Sequence, residues 1–276
     1  LSDAEVVTDY YDKSFNVLST KRTEASISRL EDNWKASLIS RLRINNFETT
    51  LQQLPTLYLN LRPQNIGSTN FLMTNDFSIG YLDYVFADNS LDNYYSTRIK
   101  SNQTISYPID YSKWSLTPYA GFQAAYYDNG YQNKTTFQPV GIGGIKGNTH
   151  LTKTYDSYRH RITPYFDYTS FITSNNKFER HYIFGIQDAQ VRLNQVRLGV
   201  GQTWTYKSKD SYTQKIETDL YTYGFFGQTS AFPQTFPKSY LTCRYLPRED
   251  LSLSSSGAWN HYSNEIDYIN AEVGST

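Results

Sequence analysis

The sequence predicts an all-β fold of about eleven or twelve antiparallel strands, with a transmembrane β-barrel as the favoured architecture. Two observations lead to this prediction. Apolar and polar residues alternate over many segments, and a period of two is typical of a strand with one apolar and one wet face. The chain also holds 26 tyrosines and 15 phenylalanines but a single methionine, and strands favour aromatic residues.

The hydropathy of the chain bears on which all-β architecture it adopts. Only 38% of the residues are hydrophobic, and the mean hydropathy is −0.61. A soluble β-sandwich needs many apolar inward positions, whereas a barrel wall with a polar inner face is low in hydropathy. Secreted sandwiches and lectin-like domains rich in tyrosine share this composition, so composition alone leaves both architectures open. No run of about 18 apolar residues predicts a transmembrane helix.

Charge and residue types exclude several classes of function. Acidic and basic residues number 26 each, so no net field predicts a nucleic-acid partner. Cys243 is the only cysteine, so an internal disulfide is excluded. The sequence around Cys243 matches no signature of a catalytic nucleophile. The four histidines have no neighbouring ligand residue at metal-binding spacing. We therefore predict no enzyme activity, no catalytic residue, no metal site and no cofactor.

The alternation is clearest over residues 34–86 and in the strand predicted from Trp114 to Tyr126. We expect the first segment to form three strands, interrupted at Pro55 and again over residues 62–67, where Pro63 and Gly67 predict a turn. The strand from Trp114 carries aromatic residues at both ends, as at the two interfaces of a membrane. Pro118 within it lacks a ladder donor, which predicts a local break or bulge. Further strands are expected near residues 95–100, 159–172, 182–186, 196–207, 215–226, 239–246, 251–261 and 265–273. Residues 6–17 are interpreted as a turn that enters a short strand, and residues 23–29 as the start of a strand pair that residues 34–44 complete.

Residues 128–154 are predicted to be the longest loop, within a single barrel domain over residues 1–276. The glycine-rich run at 141–147 matches neither a P-loop nor a dinucleotide fingerprint, and no strand–helix context surrounds it. A mobile loop, or one that folds into a pore, is therefore the interpretation.

The two faces of the strands carry the candidate functional residues. If the apolar face meets lipid, the polar face lines the interior, where basic side chains could contact anionic cargo or a plug. The alternative is that these side chains pair with Asp76, Asp167, Glu217 and Asp219 across strands and hold the wall in register. The candidate lumen-facing residues are Arg41, Arg43, Arg98, Arg159, Arg161 and Arg197. The residues predicted to face lipid are Leu38, Leu42, Leu116, Phe122, Leu198 and Val200.

Four short stretches resemble the barrel of the LptD family, the outer-membrane lipopolysaccharide-assembly proteins. The first two are RINNF at residues 43–47 and QQLPTL at residues 52–57. The other two are WSLTPYAGF at residues 114–122 and NQVRLGV at residues 194–200. Each is short, and their order along the chain carries the resemblance.

The resemblance implies a conduit in the outer membrane of a Gram-negative cell that inserts lipopolysaccharide into the outer leaflet. It implies lipopolysaccharide, membrane lipid, an LptE-like plug lipoprotein and a periplasmic bridge protein as partners. The chain lacks the family's periplasmic domain and paired cysteines, so we expect a piece of a longer protein and an incomplete barrel. Two alternatives stay open. A general or substrate-specific porin would conduct ions steadily, and a soluble or adhesive β-sandwich would stay monodisperse without detergent.

Overall fold

The structure is a computed structural model that describes residues 23–44, 46, 49–130, 134–173, 184, 192–208, 211–227, 233–248 and 250–275. Its regular elements there are β-strands, which confirms the all-β prediction. Among these residues, no helix has the length and apolar character needed to cross a membrane. The strand expected near residues 6–17, and that at 182–186 apart from Phe184, lie outside the described residues.

Fifteen strands form one antiparallel sheet. They are β1 (Thr23–Leu30), β2 (Trp34–Leu42), β3 (Thr50–Asn65), β4 (Leu72–Val85), β5 (Tyr94–Ser106), β6 (Ile109–Tyr111), β7 (Trp114–Tyr127), β8 (Thr136–Thr149), β9 (Leu151–Thr154), β10 (Tyr158–Ile172), β11 (Leu193–Ser208), β12 (Ser211–Phe226), β13 (Lys238–Arg248), β14 (Leu251–Asn260) and β15 (Glu265–Ser275).

Apart from the short strands β6 and β9, each strand lies beside the next one along the chain, in the order β1-β2-β3-β4-β5-β7-β8-β10-β11-β12-β13-β14-β15. The short strands β6 and β9 pair with β7 and β10. The predicted number of strands, eleven or twelve, was therefore too low. The reasons are that β8 and β9 lie in the segment predicted to be a loop, and that the short strand β6 is separated from β5 by Tyr107 and Pro108.

The chain divides into two compact units. The first comprises residues 1–105, 121–141 and 173–191, and the second comprises residues 106–120, 142–172 and 192–276. That all 276 residues belong to one barrel domain stays a prediction.

The expectation that Pro55 and Pro63 interrupt the strand was wrong, since both lie inside β3, whereas the turn expected at Gly67 does form between β3 and β4. The β3–β4 register advances by three residues on β3 but two on β4, between Gln53 and Thr56 and again beyond Leu61. Each step is a β-bulge, in which one strand gains an unpaired residue. A proline is tolerated there because it has no N–H to donate to the ladder.

The local break expected at Pro118 occurs in the neighbouring chain segment. β7 runs continuously through Pro118, whereas β5 ends at Ser106 and β6 begins at Ile109. The backbone N–H of Tyr107 donates to the carbonyl of Pro118 over 3.0 Å, which places this gap beside the proline.

The prediction of a long loop at residues 128–154 was also wrong, because most of it forms β8 and β9. The glycine-rich run lies within β8, where two of its glycines make room for aromatic rings. A Cβ atom at Gly144 would overlap the ring of Tyr119, and one at Gly147 would overlap the ring of Phe166. A glycine in a strand often marks such a close approach, so composition alone was misleading here.

Asp128 follows β7 directly, and its side chain connects the end of that strand to β5 through hydrogen bonds. Its Oδ1 accepts hydrogen bonds from Ser96 Oγ at 2.9 Å and from the Thr97 N–H at 2.8 Å. Partial burial acts to raise the pKa of Asp128, but these hydrogen bonds favour the carboxylate and lower its pKa below the ordinary value.

Gly199 and Gly201 offer a matched test of the packing of rings over glycines. Both lie on one face of β11, but a Cβ atom at Gly199 would overlap the Tyr165 ring. At Gly201 the nearest atoms would be 3.8 and 4.0 Å away, an ordinary contact. Gly199→Ala should lower the free energy of unfolding by about 1–3 kcal/mol because it overpacks the site.

Urea unfolding in detergent micelles, followed by near-ultraviolet circular dichroism, measures this effect. Gly201→Ala should be neutral or slightly stabilising, since alanine reduces the conformational freedom of the unfolded chain. Equal losses of stability in the two variants would contradict the proposed role of Gly199.

Candidate functional site: two opposite faces of the sheet

One face of the first four strands presents an uncovered apolar row. Ile27, Leu38, Leu57 and Ile79 are direct cross-strand neighbours in β1 to β4. Their exposed fractions are 77%, 42%, 41% and 37%. Side chains of this kind are normally covered by a second layer in a water-soluble protein, so the row marks a surface suited to an apolar environment.

The second unit carries an equivalent row across six strands. The register aligns Pro164, Val200, Leu220, Leu241, Gly257 and Ile269. Leu220, Leu241 and Ile269 are 53%, 51% and 69% exposed. Within each unit, the apolar character is therefore a property of a strand face rather than of isolated residues.

Aromatic residues lie towards both ends of this apolar face. Tyr158 pairs with Tyr206 at one end of β10, and Tyr168 lies towards the other end. Ten residue steps of ~3.3 Å separate Tyr158 from Tyr168, a height of ~23 Å for a strand tilted by ~45°. This is close to the ~25 Å apolar band, flanked by aromatic girdles, that is typical of a transmembrane barrel.

None of the six residues predicted to face lipid is buried in a dry core. Leu38, Leu42, Phe122 and Leu198 are exposed, whereas Leu116 and Val200 are half-buried. Buried hydrophobic side chains among the described residues are few, and they are Leu82, Ala125, Tyr127, Val140, Phe184 and Ala258.

The largest buried aromatic contact is in the first unit. Phe184 is only 5% exposed and stacks on Tyr94, with 5.2 Å between ring centroids. Tyr127 is fully buried beside it, and Leu82 belongs to the same cluster. The cluster lies on the strand face that carries Ser78 and Ser96, which are also buried.

The polar face of the second unit contains two similar charge clusters. In the first, Tyr119 Oη donates to Asp167 at 3.3 Å, and Lys146 forms an ion pair with Asp167 at 3.4 Å. The tyrosine lies on β7, the lysine on β8 and the aspartate on β10, so the contacts connect three neighbouring strands.

The second cluster repeats this arrangement on β10, β11 and β12. Tyr165 Oη contacts both carboxylate oxygens of Asp219, at 2.9 and 2.8 Å. Arg197 donates to Asp219 at 3.1 Å, and its guanidinium lies 4.1 Å from the centroid of the Tyr221 ring. In both clusters the tyrosine crosses a glycine, Gly144 or Gly199, to reach the carboxylate.

These contacts bear on the two interpretations of the basic residues. Arg197 pairs with Asp219, one of the acidic residues predicted to be a cross-strand partner. It therefore lies on the polar face and also connects β11 to β12. Arg43 also has internal partners, since its guanidinium donates to the carbonyls of Asn46 at 2.6 Å and Phe86 at 3.1 Å.

The other four arginines are divided between the two units. Arg41 on β2 and Arg98 on β5 are half-buried, and Arg41 Nε has no hydrogen-bond partner. Arg159 and Arg161 are exposed on one face of β10, and their cross-strand neighbours are threonines. Those neighbours are Thr152, Thr154, Thr203 and Thr205. Contact of any of the six arginines with cargo or a plug stays a prediction.

Sequence reasoning missed Tyr119, Tyr165 and Lys146. A signal was present, since glycines at polar-face positions of a strand leave room for a large side chain from a neighbouring strand. Within the described residues, no group of three or more histidine, cysteine, aspartate or glutamate residues could hold a metal ion. Cys243 is a half-buried free thiol.

The chain matches no protein-family model and no curated protein. The candidate site therefore rests on the geometry of the two faces.

A double-mutant cycle tests the cluster around Asp219. Arg197→Ala and Asp219→Ala should show a coupling free energy of about 1 kcal/mol, because the two side chains share an ion pair that solvent partly screens. Their side chains are 35% and 30% exposed. The coupling is measured from the free energies of unfolding of both single variants and the double variant.

The matched control pairs Lys146→Ala with Asp219→Ala, since Lys146 contacts Asp167 instead. Its coupling should be smaller. A coupling near zero for Arg197 and Asp219 would contradict their role in joining β11 to β12.

Proposed function

We propose that this chain forms part of the wall of an outer-membrane β-barrel that delivers lipopolysaccharide to the outer leaflet. The observation that carries the proposal is the exposed apolar face of the long antiparallel strands, set against a polar and ionised opposite face. Lipid satisfies the first face and water the second, as in the wall of a barrel. A soluble sandwich is less well supported, because it would bury its apolar faces between two sheets.

The cargo is proposed from the resemblance to the LptD family. Two of the resembling stretches, at residues 114–122 and 194–200, lie in β7 and β11. Each of these strands contributes side chains to both the apolar and the polar face. In this proposal the sugar and phosphate groups of lipopolysaccharide travel along the polar face while the acyl chains leave sideways into the membrane. The conduit is passive, and no catalytic residue takes part. A plug lipoprotein and a periplasmic bridge are the proposed partners.

A substrate-specific porin is the second candidate, and one observation favours it. The polar face of the second unit holds an open cavity of about 550 Å³ lined by hydroxyl, amide and charged side chains. A polar, water-filled surface of this kind is suited to the diffusion of small polar solutes through a pore. Steady single-channel conductance of the purified protein in planar bilayers would favour a porin over a plugged assembly barrel.

Photo-crosslinking at two adjacent positions of β10 tests the proposal in cells that make the full-length protein. A crosslinker at Arg161 should capture lipopolysaccharide or the plug lipoprotein, because its side chain is on the polar face. A crosslinker at Ile162, the matched control, should capture bulk membrane lipid, because successive side chains of a strand point to opposite faces.

Brief inhibition of lipopolysaccharide synthesis distinguishes cargo in transit from resident lipid. The lipopolysaccharide adduct at Arg161 should disappear, while the lipid adduct at Ile162 should persist. Identical adducts at the two positions, or a lipopolysaccharide adduct at Arg161 that survives the inhibition, would contradict the proposal.

A further inference from the structure

The cavity on the polar face of the second unit is lined mainly by polar side chains. One register row across β10 to β15 aligns Thr163, Gly201, Asp219, Thr242, Ser256 and Asn270. The neighbouring row in β11 to β15 aligns Thr203, Glu217, Arg244, Ser254 and Glu272. These residues line the cavity of about 550 Å³, a volume within the range of small-molecule sites.

The floor suits a ligand that carries many hydroxyl groups. Its threonine and serine hydroxyls and the amide of Asn270 can each donate and accept hydrogen bonds. Glu217 and Glu272 add acceptors, and Arg244 adds donors. An apolar ligand would leave these groups without partners, at a cost in free energy for each one.

The charges of the cavity disfavour an anion. Three carboxylates line it, on Glu217, Asp219 and Glu272, against the single guanidinium of Arg244. Arg197 lies nearby, but its charge is offset by the ion pair with Asp219. A phosphate group would therefore meet more negative than positive charge, whereas a neutral ligand would not be repelled.

Tyrosines lie one row further along the strands, on the same face. Tyr165, Tyr221, Tyr240 and Tyr268 occupy this row, with Gly199 and Ala258 between them. The rings of Tyr221 and Tyr240 are stacked, with centroids 5.1 Å apart, and Arg197 covers Tyr221. Tyr240 and Tyr268 therefore flank the small side chain of Ala258, and Tyr268 is 41% exposed.

We propose that this part of the polar face binds a neutral saccharide. The rings of Tyr240 and Tyr268 stack against the apolar face of a sugar ring, and Asn270, Thr242 and Ser256 hydrogen-bond its hydroxyl groups. An aromatic platform beside polar side chains matches the two surfaces of a pyranose. The inference rests on the proposed function in one respect: if the apolar face contacts lipid, the polar face is the one that contacts water and soluble ligands.

Three consecutive residues of β15 provide the test. Tyr268 and Asn270 belong to the polar face, whereas Ile269 between them is 69% exposed on the apolar face. The variants are Tyr268→Ala, Asn270→Ala and, as the matched control, Ile269→Ala. Each is made in the full chain, purified in detergent micelles and checked for native circular dichroism.

The probes are neutral gluco-, galacto- and manno-oligosaccharides, with inorganic phosphate as the anionic comparison, and binding is measured by saturation-transfer NMR. At least one oligosaccharide should bind, and Tyr268→Ala should weaken it about tenfold, equivalent to one lost contact. Asn270→Ala should weaken it severalfold, and Ile269→Ala should leave it unchanged.

Three results would overturn the inference. These are the failure of every oligosaccharide to bind, equal weakening by all three variants, and tighter binding of phosphate than of any oligosaccharide. Spin-label accessibility on the same preparation separates this failure from that of the proposed function. If Ile269 is accessible to lipid and no sugar binds, only the saccharide site is excluded.

Discussion

The alternation of side chains along a pleated strand is the constraint on which the rest of this structure depends. Each step of one residue moves a side chain to the opposite face, so a strand cannot mix its apolar and polar sets without a bulge. In β3 two bulges, at Pro55 and Pro63, use this exception, because each adds one residue and so exchanges the faces of the odd- and even-numbered residues that follow. As a result Leu57 stays in line with Leu38 and Ile79.

The contacts on the polar face explain how this sheet is stabilised without a large apolar core. Tyr119 and Tyr165 each cross a glycine and donate to an aspartate two strands away, and a basic residue of the intervening strand pairs with that aspartate. Contacts of this kind resist sliding of one strand past another, since a shift in register would separate all three groups. Lys146 and Arg197 therefore stabilise the sheet through their ion pairs with Asp167 and Asp219.

The sequence predicted the features that follow from periodicity. Strands such as Trp34–Leu42, Leu72–Val85 and Trp114–Tyr127 match the predicted segments closely, and the apolar phase of β11 was assigned correctly at Leu198. It failed where tertiary packing overrides local preference. Glycines such as Gly144 were interpreted as loop residues because their partner, the Tyr119 ring, comes from another strand. For Arg197 the sequence left two interpretations open, an ion pair with an acidic residue or contact with cargo. The register of β11 against β12 places Arg197 near Asp219, and neither strand alone determines that register.

The central claim is that one face of these strands contacts lipid and the other contacts water. The most direct measurement is site-directed spin labelling of residues 196–198 and 200–203 in β11, one at a time, in a Cys243→Ser background reconstituted into lipid bilayers. Gly199 is left unlabelled because the Tyr165 ring lies over it. Collision rates with oxygen, which concentrates in lipid, and with a water-soluble nickel chelate should alternate with a period of two and opposite phase. Oxygen access should be highest at Val196, Leu198 and Val200, and nickel access highest at Arg197, Gly201 and Thr203. Equal access of both reagents to all seven positions, or protection of every position from oxygen, would contradict the account.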